Sequence, residues 1–115
     1  METPGLHVPR LQMYVTRGGD TVTVRGIGEI DLNARTEVAH AVDDALASEC
    51  PNIVVDLAGV PFMDSTGVHG VARLYERAST AGRRVRVVGA SPLIGRVLGL
   101  SGLGELLAGN DDHAA

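Results

Sequence analysis

The sequence predicts a single α/β domain on a mixed sheet of about four to five strands. Three observations carry that prediction. The segment Thr21-Val22-Thr23-Val24 alternates polar and apolar residues and follows another strand candidate across Arg17-Gly18-Gly19-Asp20, a hairpin signal. Ile53-Val54-Val55-Asp56-Leu57 is a short apolar run, the pattern of a strand covered on both faces. Segments of helical spacing separate the later strands, which implies right-handed crossovers.

Each element has its own justification. Residues 11–16 and 21–26 are the hairpin strands, and Gly26 and Gly28 read as turn or bulge residues where the second one ends. A helix is expected over about 33–48, because Ala34, Val38, Ala41, Val42, Ala45 and Leu46 mark one face. Arg35, Glu37, Asp43 and Asp44 stay outside that stripe. Pro51 blocks continuation and the Ile53 strand begins. After a loop over 58–63, Val68, Val71, Ala72, Tyr75 and Ala78 recur at helical spacing, and Gly82 suits the left-handed position that ends a helix.

Val85-Arg86-Val87-Val88 is the next strand. Ser91-Pro92 opens a short helix, with Ser as N-cap and Pro in the first helical position. Val97, Leu98, Leu100, Leu103, Leu106 and Leu107 supply further core, with an edge strand expected near Leu106. Residues 1–10 and 108–115 read as flexible segments around a domain at 11–107.

Composition narrows the function classes. The 115 residues are 44% hydrophobic and 21% charged, which reads as one soluble globular domain. Aromatics are only 3%, so the core must be Val, Leu, Ile and Ala. A net charge of −4 argues against a nucleic-acid binder. Arg83, Arg84 and Arg86 form the only dense basic cluster and read as a solvated strand start. Cys50 is the sole cysteine, which excludes an intrachain disulfide and fits a reducing compartment. No signal peptide opens the chain and no apolar stretch reaches the ~18 residues of a membrane span, so a cytoplasmic protein is expected.

Catalytic patterns fail one by one. Met63 stands where a nucleophile elbow needs its first glycine. Gly26-Ile27-Gly28-Glu29-Ile30-Asp31 begins like a dinucleotide fingerprint but has Asp31 where the last glycine belongs. The phosphate-cradling Gly-Lys-Ser/Thr ending is absent, and His7, His40, His69 and His113 lack metal-ligand spacing. No catalytic residue, metal site or cofactor is expected.

The most informative tetrapeptide is Asp64-Ser65-Thr66-Gly67, where the buried strand hands over to the amphipathic helix. Ser65 or Asp64 there can be a plain N-cap. The same place also holds backbone N–H groups without intrahelical partners, where a phosphate is stabilised by those donors and by the helix dipole.

Four segments in order decide between the two. Gly28-Glu29-Ile30-Asp31, Ile53-Val54-Val55-Asp56-Leu57, Phe62-Met63-Asp64-Ser65-Thr66-Gly67 and Leu98-Gly99-Leu100-Ser101-Gly102-Leu103 resemble the motifs of STAS-domain anti-sigma factor antagonists. The resemblance spans roughly 11–107 and implies a STAS fold, with helices packed mainly on one face of the sheet. It also implies a protein–protein switch and not an enzyme. In that family the unmodified antagonist binds an anti-sigma factor serine kinase and frees a sigma factor. Phosphorylation at the position of Ser65 breaks the complex, and a PP2C-type phosphatase restores it. Asp31, Asp64, Ser65, Thr66 and Gly67 are the expected partner-binding residues, with no direct nucleic-acid or membrane contact. Two alternatives stand beside it: a structural STAS subunit of a stressosome-like or lipid-transport complex, and a small-molecule or nucleotide-binding module.

Overall fold

Alternation decides how the sheet is covered. In the computed structural model, which describes residues 10–107, strand β1 (Gln12–Gly18) pairs antiparallel with β2 (Thr21–Ile27). Strands β3 (Asn52–Gly59) and β4 (Arg84–Val88) continue in parallel, giving the order β1-β2-β3-β4. In register, Val22 pairs with Ile53 and Ile53 with Val85, while Val24 pairs with Val55 and Val55 with Val87; all six are buried. The intervening residues, among them Thr23, Val54, Asp56 and Arg86, lie half-buried or exposed on the other face. There Arg25 and Asp56 form an ion pair at 3.4 Å. The expectation of a β3 covered on both faces is therefore corrected: helices cover only one.

Those helices are α1 (Arg35–Ala47) and α2 (Ser65–Thr80), which pack on one another, with α1 also meeting β1 and β2 and α2 meeting β4. Helix α1 buries Val38, Ala41, Val42 and Ala45, and Leu46 packs partly against the core. A 3₁₀ turn, Leu32–Ala34, leads into it. Helix α2 buries Gly67, Val71, Leu74 and Ala78, so Leu74 occupies the inner face and the expected Tyr75 is exposed. Its end is a Schellman motif: Gly82 has φ +74°, its amide donates to Ser79, and that of Arg83 donates to Ala78 at 2.8 Å.

Helix α3 (Pro92–Leu100) starts as expected, with the Ser91 hydroxyl accepting from the Ile94 amide at 3.2 Å. It buries Ile94 and Leu98, but Leu100 is 84% exposed and leaves the expected core. The glycine of the last motif ends this helix: Gly102 has φ +84° and the Leu103 amide donates to Leu98 at 2.8 Å. Beyond it, Gly104–Leu106 is a 3₁₀ turn and Leu107 makes a lone parallel bridge with Val87. The expected edge strand is thus reduced to one bridge, and the sheet has four strands among the described residues.

The arginine cluster divides. Arg84 and Arg86 are exposed, whereas Arg83 is half-buried and binds the carbonyl end of α1. Its Nε donates to the Cys50 carbonyl at 2.7 Å, Nη1 to Leu46 at 3.0 Å and Nη2 to Ala45 at 3.2 Å. A cation on orphan carbonyls satisfies acceptors and opposes the negative pole of the helix. The expected flexible ends lie outside the described residues except for Arg10, which pairs with Glu37; His7 and His113 lie outside them too.

Candidate functional site

Two backbone segments are zipped together at the end of the sheet where β2 and β3 finish. Between Arg25 and Ile27 the register shifts, with Leu57 and Ala58 of β3 opposite Gly26 alone, and Gly28 adopts φ +119°. A Cβ on Gly28 would lie 3.2 Å from the Leu11 Cα, so a larger residue would be strained and crowded. The chain then runs beside the loop after β3. Gly28 donates to Gly59, Ile30 to Phe62 and Asp64 back to Ile30, each at 3.0 Å, and Ile30 and Met63 form a parallel bridge. Asp31 and Asp64 each follow a bridged residue, so both stand at the same end of the sheet.

Both are caps. The Asp31 Oδ1 accepts from the Asn33 amide at 3.0 Å and starts the turn into α1. The Asp64 Oδ1 accepts from the Thr66 amide at 2.8 Å and starts α2. Gly67 and Val68 donate to the Asp64 carbonyl, so Ser65 keeps the first-turn amide with no acceptor among the described residues. The chain's own carboxylate thus already uses part of the donor capacity expected to greet an anion.

Ser65 is the first residue of α2 and is exposed; Thr66 is half-buried and Gly67 buried. A Cβ on Gly67 would sit 2.1 Å from Met63 Cγ and 3.2 Å from Ile30 Cγ2, which explains the glycine by packing. The structure therefore brings Asp31, Asp64, Ser65 and Thr66 to one end of the sheet, with Gly67 beneath them. The exposed side chains of Leu32 and Phe62, 64% and 45% accessible, flank the two carboxylates in the chain.

A groove of about 420 Å³ opens between α1 and α2 next to Ser65. Leu32, Val38, Val42 and Gly70 supply its apolar wall, and Arg35, His69 and Arg73 its polar rim. The helices come close here, since a Cβ on Gly70 would lie 2.6 Å from Val38 Cγ1. Arg73 is held by Asp43 at 3.3 Å. The sequence reading left these basic groups out of the site. The spacing of Ser65, His69 and Arg73 along one helix face was a usable signal, but the position of Arg35 opposite them depends on how α1 packs.

Among the described residues no group of three His, Cys, Asp or Glu side chains is placed to hold a metal ion. No described helix is long and apolar enough to cross a membrane.

The arrangement has a family. The model described as "Mlab, STAS domain" matches residues 13–108. The chain belongs to the STAS-domain family. Among similar curated STAS relatives is the anti-sigma F factor antagonist of Lysinibacillus sphaericus, 36% identical over 78% of this chain and 76% of that protein. The protein of the same name from Paenibacillus polymyxa is 29% identical over 84% of each chain. Among solved structures, an anti-sigma factor antagonist from Mycobacterium paratuberculosis superposes with a TM-score of 0.77 at 26% identity, covering 86% of this chain and 84% of that one. The expected STAS fold, with its mixed sheet and one-sided helices, is the fold observed.

Proposed function

We propose that this STAS domain is an anti-sigma factor antagonist controlled by phosphorylation of Ser65. The unmodified form binds an anti-sigma factor serine kinase in the cytoplasm and releases a sigma factor, and the kinase ends the interaction by phosphorylating Ser65. A PP2C-type phosphatase reverses the step. The protein acts as substrate and binding partner, with no catalysis of its own.

One observation carries the reading: an exposed serine hydroxyl at the first position of α2, directly after the Asp64 cap and at the end of the sheet that also carries Asp31 and the exposed Leu32 and Phe62. An exposed hydroxyl can enter a kinase active site, and Leu32 and Phe62 offer apolar area to a partner. Phosphate adds about −1.5 to −2 charges. Buried in an interface beside Asp31 and Asp64, that charge would meet repulsion and lose its water. A penalty of only ~1.4 kcal/mol weakens a complex tenfold, so a covalent change this small suffices.

The test is phosphate mapping by mass spectrometry after incubation with the anti-sigma factor kinase and ATP. The reading expects phosphate on Ser65 and none on Ser65→Ala. Phosphate chiefly on Thr66, whose half-buried side chain is less accessible, would reject the assignment. NMR of the two forms tests locality: amide changes should stay within Asp31, 62–69 and their neighbours, and leave Leu57, Val71 and Val87 unmoved.

A further inference from the structure

We propose that Arg35 and His69 hold the phosphate of phosphorylated Ser65 across the α1–α2 groove, an intramolecular clamp that forms only in the modified state. The inference rests on Ser65 being the phosphoacceptor and concerns what that phosphate then touches.

Charge distribution around Ser65 is one-sided. Asp31 and Asp64 lie on the side of the zipped loops, each with one oxygen committed to a backbone amide. The groove on the other side is lined by Arg35, His69 and Arg73 and by no acidic residue. A dianion on Ser65 is repelled by the first side and attracted by the second. Arg73 is already engaged with Asp43. Arg35 and His69 are exposed and take part in no ion pair among the described residues.

Position supports the same pairing. Ser65 and His69 are four residues apart on α2, the spacing that places two side chains over one another on a helix surface. Arg35 is the first residue of α1 and lines the groove from the opposite wall. A guanidinium fork matches two phosphate oxygens at once, and such charge-assisted bonds are stronger than neutral ones. The phosphate would thus tie the beginning of α1 to the beginning of α2. It would also draw Arg35 out of the exposed surface that a partner meets.

The experiment uses the full chain with phosphoserine installed at position 65 during translation, so no kinase is needed. The second ionisation of the phosphate, ordinarily near pH ~6, is followed by ³¹P NMR. The charged groups facing it are Arg35, His69 and Arg73 from the groove and Asp31 and Asp64 from the loops. Arg35→Gln and His69→Gln should each raise the midpoint by about 0.3–0.7 of a pH unit, a two- to fivefold change in proton affinity. Arg35→Lys, which keeps the charge and loses the fork, should fall between. Arg17→Gln, at the hairpin on the opposite end of the sheet, should leave the midpoint in place. Shifts from Arg35→Gln and His69→Gln no larger than that from Arg17→Gln would overturn the clamp. A kinase that ignores Ser65 would instead overturn the switch and leave this measurement intact.

Discussion

The two ends of the sheet finish their helices in opposite ways. Where β3 and β4 begin, every helix terminus is closed from within: Arg83 donates to three carbonyls around the end of α1, and the Gly82 turn closes α2. Where β2 and β3 finish, α2 begins with an exposed serine whose amide has no acceptor among the described residues. The closed end supplies stability and offers a partner little. The open end gives up some of that closure and leaves the Ser65 hydroxyl exposed, as the proposed switch requires. The contrast separates residues that hold the fold from residues that can change its surface.

Breaking the closed end should have the largest effect on stability. Arg83→Met keeps the aliphatic stem but leaves the carbonyls of Leu46 and Cys50 without their donor, while that of Ala45 keeps the Ser48 amide and hydroxyl. Unsatisfied acceptors of this kind cost about 1–3 kcal/mol each when fully buried, so a total loss of roughly 2–3 kcal/mol is expected in urea denaturation. Partner affinity per folded molecule should not change. A loss of affinity without a loss of stability would blur the distinction between the two ends.

A smaller effect is expected at the open end. Asp64→Ala removes one cap, the bond to the Thr66 amide at 2.8 Å, and should cost about 1 kcal/mol. The same substitution removes a carboxylate from beside Ser65, so it should also reduce the penalty that phosphate imposes on binding. Measuring both in one variant sharpens the comparison, because Arg83→Met should show only the first.

The smallest effect lies at the pair of Arg10 and Glu37. The hydrogen bond from Arg10 holds the Glu37 carboxyl below its ordinary value of 4.5, helped by a backbone hydrogen bond and opposed by burial. A depressed folded-state value stabilises the fold above the unfolded value, and that contribution disappears as pH falls through the folded one. Arg10→Gln should therefore raise the Glu37 midpoint in a ¹³C carboxyl titration while stability at neutral pH barely moves. An unchanged midpoint would remove the pair from the account.

Much of this was legible in the sequence, for reasons that are local. Gly19-Asp20 makes the hairpin turn because Gly19 takes φ +62°, and Ser91-Pro92 starts α3 because its cap and its fixed φ act within one turn. The local geometry of the candidate site was legible in the same way: Asp64 caps α2 and Ser65 follows it. What was not legible depends on partners distant in the chain. Nothing near Arg83 announces that it reaches carbonyls more than thirty residues earlier, so it read as one more solvated charge. Leu74 and Tyr75 both fit a helical stripe, and the packing of α2 against β4 decides which is inside. The missing edge strand has the same origin, since the chain after Gly102 makes a β-bridge with β4 only at Leu107.

The central claim, that the open end of α2 is a switch for partner binding and the rest of the domain its support, is tested most directly by capture from native cytosol. Tagged wild type, Ser65→Ala and Ser65→Asp are compared after confirming equal folded amounts, and the bound anti-sigma factor kinase is quantified by mass spectrometry. The account predicts capture by wild type and Ser65→Ala and at least about tenfold less by Ser65→Asp, the equivalent of ~1.4 kcal/mol. Equal capture by all three variants would contradict it.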